Sequence, residues 1–275
     1  MIIGAGGSLG RHICNLLYKN NYMIVAIDIN ENSVSYLNRV YDIPENNIFI
    51  EDIRNFSRIC NIIDYFKIDV IVNCAALKHV MWCEFNIKQA IETNVIANLE
   101  LANYMYKNKK EFLYISSDKA FNPKNIYALT KQFTDYIVNF YNFKIIRGVN
   151  FLNSKGSVLD IWEEQRRHNK PFTVIDDKKC NRYFITLDKM SELVKIAIED
   201  KNKKNEYVPE SVYKIYIRDL FEAYLELHNI SRYKIKEIFL SETEKITEDL
   251  NFTSEIKEIK DVNIIINLLK ENGAI

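Results

Sequence analysis

The chain of 275 residues balances 37 Lys and Arg against 37 Asp and Glu, so no overall field draws it to nucleic acid or to an anionic membrane. Its residues are 48% hydrophobic, enough to bury a core in one large domain or two unequal lobes, yet no apolar run reaches membrane-spanning length and no signal segment opens the chain. The cysteines Cys14, Cys60, Cys74, Cys83 and Cys180 lack C-x-x-C spacing, which excludes a disulfide framework and a structural zinc site and leads us to expect reduced thiols in a cytoplasmic protein.

Ile2-Ile3 is a short apolar strand leading into Gly4-Ala5-Gly6-Gly7-Ser8-Leu9-Gly10, and a helical pattern follows from Arg11 to Asn20. Glycines at 4, 7 and 10 suit a pyrophosphate site. One permits the tight turn, one lets backbone N–H groups approach the phosphates, and one lets helix and sheet pack closely. A second strand, Tyr22 to Ile27, ends in Asp28, which is placed to accept hydrogen bonds from an adenosine ribose and to favour NAD over NADP. Alternatively, Asp28 caps the helix beginning near Glu31. A strand at Asn47 to Ile50, a helix at Phe56 to Phe66 and an apolar strand at Asp69 to Asn73 continue the alternation. A long helix from Asn86 to Tyr106 and the buried strand Phe112 to Ile115 follow. The fold class expected is α/β, a doubly wound, Rossmann-like parallel sheet with a smaller C-terminal α+β lobe.

Ser116 to Lys131 carries the densest set of reactive groups. It joins that strand to a helix running from about Ile126 to Tyr141, the place where α/β proteins hold their chemistry. Tyr127 and Lys131 stand four apart and share one helix face. They are either an ordinary helical pair or a proton-transfer couple in which the lysine brings the phenol down from about 10 toward neutrality. Asp118 and Lys119 form a surface salt bridge or present an acid and a base to one substrate. As a base, Lys119 must be neutral part of the time, a state favoured by desolvation or by nearby Lys131.

Beyond the strand Lys144 to Arg147 the alternation loosens. The polar loop Asn150 to Val158, with Lys155 and Gly156, offers the cations and backbone donors that a ligand with two phosphates needs. Arg182 is the candidate bidentate phosphate clamp, unless it pairs with Asp176 or Asp177. Helices are expected at Val158 to Arg167, Asp188 to Ile198 and Tyr216 to His228, and a tail from Ile256 to Leu269 closes the smaller lobe. Residues 1–150 read as a dinucleotide-binding domain and 151–275 mainly as a substrate-binding lobe, with some segments returning to the first domain. The basic runs at Lys107 to Lys110 and Lys201 to Lys204 read as solvated helix ends. His168 and His228 have no ligand spacing, so no metal is expected.

Together, Gly4 to Gly10, Ser117, and Tyr127-x-x-x-Lys131 resemble the extended short-chain dehydrogenase/reductase superfamily. Ala75-Ala76-Leu77-Lys78-His79-Val80, Ser117-Asp118-Lys119-Ala120-Phe121-Asn122-Pro123, Ser154-Lys155-Gly156-Ser157-Val158, Asn181-Arg182-Tyr183-Phe184-Ile185-Thr186 and Glu244-Lys245-Ile246-x-x-Asp249-Leu250 narrow the likeness. They are similar to its polysaccharide-biosynthesis branch, the inverting UDP-N-acetylglucosamine 4,6-dehydratases. Ser117 stands for the family's usual threonine, Ala128 for a glycine and Met81 for a proline, and an Arg-Pro-Gly before Glu244 is missing.

The resemblance implies NAD or NADP, tightly bound and recycled, with Ser8, Leu9, Asp52, Ile53 and Ala75 joining the glycines and Asp28 at the cofactor. Lys131 would hold the nicotinamide ribose. Tyr127 would take the sugar's 4-hydroxyl proton, and Ser117 would donate to the 4-oxygen. Lys119 is implied as the C5 base and Asp118 as the acid toward the 6-hydroxyl, and because retaining dehydratases carry Asp-Glu there, the lysine points to the inverting class. Lys78, His79, Asn150, Lys155, Gly156 and Arg182 are the implied substrate contacts, although His79 is equally readable as a structural histidine and Asn94 reads as packing. A homo-oligomer acting on a UDP-sugar is expected. A 4-epimerase or 4-ketoreductase, or a non-catalytic cofactor-sensing protein, is the alternative.

Overall fold

The computed structural model describes residues 1–175, 177–202, 204–240 and 244–273. In chain order its strands are β1 (Ile2–Ile3), β2 (Ala26–Asp28), β3 (Ile48–Ile50), β4 (Val70–Asn73), β5 (Glu111–Ser117), β6 (Lys144–Gly148), β7 (Asn150–Phe151), β8 (Phe172–Ile175), β9 (Asn181–Ile185), β10 (Glu206–Tyr207), β11 (Ser211–Tyr216), β12 (Ile235–Ile238) and β13 (Glu255–Ile259). The helices are α1 (Ser8–Lys19), α2 (Glu31–Tyr41), α3 (Phe56–Tyr65), α4 (Val80–Phe85), α5 (Ile87–Ile91), α6 (Ala97–Lys107), α7 (Ile126–Phe140), α8 (Val158–Arg167), α9 (Leu187–Glu199), α10 (Ile217–Leu227) and α11 (Val262–Glu271).

Two compact units result. The first is Met1–Gly148 with Asp188–Val208, and the second is Val149–Leu187 with the chain from Pro209 onward. In the first unit seven strands run in the order β10-β6-β5-β4-β1-β2-β3, every neighbouring pair parallel. The doubly wound parallel sheet expected from the alternation is present. From β1 the chain steps outward to β3, then returns to place β4 on the other side of β1. The carboxyl ends of β1 and β4 therefore flank the switch point at which such sheets bind ligands. The strands are apolar because helices cover both faces, and Ile3, Ile27, Ile71 and Phe112 are buried in one core. Each helix supplies an apolar stripe; α3 buries Ile59, Ile62 and Ile63.

The elements depart from the expected ones in instructive places. Helix α1 begins at Ser8, so Gly10 lies inside its first turn. The second strand shrinks to Ala26–Asp28, and Tyr22 instead donates its phenol to Glu199 Oε1 at 2.8 Å. The single long helix expected from Asn86 to Tyr106 is α5 and α6 joined by a π-helical turn, Glu92–Ile96. The six-residue helix α4 and the two-residue strand β10 are too short to leave a periodic signal. Lys107 closes α6 as expected of a solvated helix end, whereas Lys203 of the second basic run lies outside the described residues.

The second unit holds a four-stranded sheet, β13-β11-β9-β7, in which only the β11–β9 pair is antiparallel, and a separate parallel pair, β12–β8. Its core is aromatic. Trp162 and Phe221 lie with ring centroids 4.9 Å apart, and Trp162 Nε1 donates to Thr173 O at 2.9 Å. Among the described residues no helix is long and apolar enough to cross a membrane.

Candidate active site

The glycine loop is built by close contact. Gly4 has a φ of +76°, and a Cβ there would lie 2.6 Å from Ala75 N and 2.8 Å from Cys74 C, in the loop after β4. A Cβ on Gly10 would lie 2.1 Å from Gly4 O, so the first turn of α1, with Ser8 and Leu9, packs directly on the end of β1. Gly7 is the N-cap of α1, and no side chain caps that helix. Its positive end therefore carries no capping oxygen, which suits an anion. Asp28 Oδ2 accepts the Gly6 N–H and Oδ1 the Asn30 N–H, both at 2.9 Å. Capping of α2 falls to Asn30, whose side chain accepts from Ser33 N. The Asp28 carboxylate thus faces the glycine loop and does not cap the helix. Asp52 is gripped by the Arg54 guanidinium, which holds its carboxyl below the usual range, and Ile53 is buried in the core. Tight glycines, an uncapped helix start and a carboxylate at the end of β2 fit a dinucleotide.

The reactive segment forms one cluster. Ser117 ends β5 and caps the 3-10 turn Asp118–Ala120. Its Oγ donates to Asp118 Oδ1 at 2.7 Å, and the Lys119 Nζ lies 3.3 Å from the same oxygen. Asp118 is buried, while Lys119 keeps part of its surface open. Helix α7 starts under two anchors. Asn125 accepts from Ala128 N at 2.8 Å, and Glu84 Oε1 accepts from Ile126 N at 2.7 Å, which fixes the helix beside Tyr127. Glu84 was not a sequence candidate; a lone glutamate in a short helix gives no spacing signal.

Tyr127 departs from expectation in its electrostatics. Burial pushes its phenol up to about 12, opposed first by the Lys119 ammonium, while Asp118 adds to the rise and a Ser117 hydrogen bond opposes it. Lys119, and not Lys131, is the cation that most opposes the rise. Although Tyr127 and Lys131 share a helix face, Lys131 Nζ turns to donate to Ile115 O at 2.8 Å and sits 4.6 Å over the Tyr114 ring. Burial lowers Lys131 to about 8, with Asp135 opposing that fall.

The loop after β4 is held by buried asparagines. Asn73 Oδ1 accepts from Ala75 N, and its Nδ2 donates to Asn98 Oδ1 at 2.7 Å. Asn94, on the π turn, accepts from Leu77 N and donates to Leu77 O and Thr130 Oγ1, all within 3.0 Å. Asn94 therefore ties the loop to α7, a more specific role than packing. Lys78 and His79 are exposed on this loop, and His79 is lowered by partial burial and by Lys78.

In the second unit, Asn150 donates to Tyr183 O and Glu248 Oε2, each at 2.9 Å. Arg182 Nη1 donates to Asn181 O and Ile246 O, and its Nε lies 3.5 Å from Glu248 Oε1. Glu248, one of the unassigned positions in the late sequence signature, is thus the acid that joins the two. It replaces Asp177 as the expected partner, and Asp176 lies outside the described residues. Gly156 has a φ of +73° and donates its N–H to Asp160 Oδ2 at 2.6 Å, while Lys155 is exposed. Residues 241–243, where the Arg-Pro-Gly is missing, also lie outside the described residues. Among the described residues no group of three potential ligands could hold a metal ion.

Residues 1–269 match the family described as polysaccharide biosynthesis protein. The chain belongs to that family, within the extended short-chain dehydrogenase/reductase superfamily. The capsular polysaccharide biosynthesis protein CapD of Staphylococcus aureus is 31% identical over 212 residues, which are 70% of this chain and 35% of that protein. The chain thus spans about a third of that relative's length. A UDP-N-acetylglucosamine 4,6-dehydratase (inverting) of Campylobacter jejuni is 26% identical over 99% of this chain and 88% of its own. A UDP-glucose 4-epimerase of Rickettsia bellii is 27% identical over 95% of this chain and 80% of its own. Among solved structures, Pen from Bacillus thuringiensis superposes with a TM-score of 0.82 at 27% identity, covering 89% of this chain and 80% of that one.

Proposed function

We propose that this protein is a 5-inverting UDP-N-acetylglucosamine 4,6-dehydratase that yields a UDP-4-keto-6-deoxy-L-arabino-HexNAc. The observation that supports this reading best is the cluster of Ser117, Asp118, Lys119 and Tyr127, with an acid and a base added to the Ser-Tyr-Lys set that hydride transfer alone requires. NAD or NADP would be held by Gly4 to Gly10, Asp28, Asp52, Ile53, Ala75 and Lys131, and when bound would supply the hydride acceptor for C4 and the hydride source for C6.

Tyr127 takes the proton of the 4-hydroxyl, aided by the neighbouring Lys119 charge and by the Ser117 hydroxyl, which then donates to the 4-oxygen. Lys119, having passed its own proton to the Asp118 carboxylate 3.3 Å away, removes the C5 proton once the C4 ketone has made it acidic. Asp118 gives a proton to the 6-hydroxyl as it departs as water, and C5 is reprotonated on the opposite face. Lys78 and His79, and in the second unit Asn150, Lys155, Gly156 and Arg182, are assigned to the nucleotide-sugar. For Arg182 this requires the diphosphate to compete with Glu248. The exposed stripe Leu129, Phe133, Tyr136 and Phe140 along α7 is assigned to contact with a second copy of the chain.

The 4-epimerase reading is favoured by the Rickettsia relative. Asp118→Asn and Lys119→Met separate the two. A dehydratase loses water elimination in both variants, whereas an epimerase keeps most of its turnover.

A further inference from the structure

Asp135 and Arg147 take no part in the chemistry above, yet they lie directly behind it. Asp135 is one turn beyond Lys131 on α7, and Arg147 is on β6. Both are buried. Arg147 Nη1 donates to Asp135 Oδ2 at 2.8 Å, to Ser116 Oγ at 3.0 Å and to Ser117 O at 3.1 Å. The rest of the guanidinium contacts the Glu206 carboxylate and lies 4.3 Å over the Phe121 ring. One cation thereby ties α7, β10, the end of β5 and the turn that follows it.

A buried ion pair is weak evidence for stability, because desolvation offsets most of the attraction. What the arrangement does is pin the reactive strand. Lys131 holds Ile115 O and Arg147 holds Ser117 O. These are alternate carbonyls of β5, and so lie on the same edge of the strand. Asp135 is the carboxyl between the two cations. Burial raises the Asp135 carboxyl and Arg147 opposes that rise, while Asp135 in turn opposes the fall of Lys131.

We propose that Asp135 and Arg147 are positioning residues for the reactive segment: Arg147 fixes the Ser117 main chain from which the Asp118–Lys119 turn departs, and Asp135 is the counter-ion set one helical turn from Lys131. The groups that face the Lys131 ammonium are Asp135 on its own helix, Cys74 after β4, Tyr114 on β5 and Arg147 on β6. Asp135 is the one carboxyl among them, so it is the group able to act as counter-ion to the ammonium that Ile115 O and the Tyr114 ring also hold.

The catalytic part of the test rests on the function proposed above, and the spectroscopic part does not. Nitrogen-15 NMR of the lysine side chains in the cofactor-free protein reads the titration of Lys131, identified as the resonance missing from Lys131→Arg. Asp135→Asn is expected to lower its midpoint by ~1 pH unit. Arg147→Lys keeps the charge but not the fork; it is expected to leave the midpoint in place and to lower kcat about tenfold, with KM for the sugar nucleotide nearly unchanged. An unmoved midpoint in Asp135→Asn, or wild-type kcat in Arg147→Lys, overturns the proposal. If Asp135→Asn does not fold, the double variant Asp135→Leu with Arg147→Met removes both buried charges together. A smaller downward shift is then expected, and no shift overturns the proposal. A shifted midpoint in a protein inert toward UDP-N-acetylglucosamine faults the substrate assignment and leaves the Asp135 role standing.

Discussion

Ser117 donates its hydroxyl hydrogen to Asp118 Oδ1 at 2.7 Å, and Lys119 approaches that same oxygen at 3.3 Å. One carboxylate oxygen thus organises the hydroxyl that would meet the sugar's 4-oxygen and the amine that would meet C5. The Lys119 charge also opposes the burial that raises Tyr127. In the proposed reaction, oxidation and elimination would therefore be coupled through a single lysine.

That coupling has a pH signature. Removing the cation disfavours the Tyr127 phenolate, so in Lys119→Met the phenol titrates still higher. The acid limb of the single-turnover rate of C4 oxidation is expected to move up by ~1 pH unit. Lys119→Arg, which keeps the charge, leaves the limb near its original place. Cofactor absorbance followed in rapid mixing against pH reads both.

Gly10 is the position where the cofactor loop is least forgiving. A methyl group there would lie 2.1 Å from Gly4 O, and neither backbone segment is free to yield. Gly10→Ala is expected to cost about 1–3 kcal/mol of stability and to yield protein purified without dinucleotide. Thermal unfolding and mass analysis of cofactor released on denaturation measure the two effects.

All five thiols are raised by burial, and in the alkaline response they outweigh the single lowered Lys131. Burial raises Cys14 and Cys74, the latter to about 12. In the unfolded chain these thiols release their protons near pH 9, while in the folded chain they keep them. The unfolded state then binds fewer protons, and stability falls as pH rises through and beyond 9. Urea midpoints at pH 8, 9 and 10 are expected to decline, and Cys14→Ala is expected to flatten the decline while lowering stability at pH 8.

The α7 stripe predicts the state of assembly. Phe133→Ser with Phe140→Ser, both at exposed positions, is expected to convert an oligomer into a monomer without loss of the fold. Sedimentation velocity on wild type and variant decides this, and a monomeric wild type contradicts the assignment.

Local patterns in the chain showed the parallel sheet, the glycine loop and the Ser117 to Lys131 segment, because strand alternation, glycine spacing and the i, i+4 pair are written in neighbouring residues. Partners distant in sequence were not legible. Nothing local says that Lys131 reaches Ile115 O, that Glu84 anchors Ile126, or that Glu248 joins Asn150 to Arg182. Asn94 reads as an ordinary helix residue until the π turn brings it to both Leu77 and Thr130. Short elements such as α4 and β10 take their form from packing, since their few residues carry no period.

The most direct test of the central claim is incubation of the protein with UDP-N-acetylglucosamine in D2O, followed by mass and NMR analysis of the sugar. Proton removal by Lys119 and reprotonation on the other face predict loss of water and one deuterium at C5, with the L-arabino configuration. A product that retains its water, carries no deuterium or keeps its C5 configuration contradicts the account.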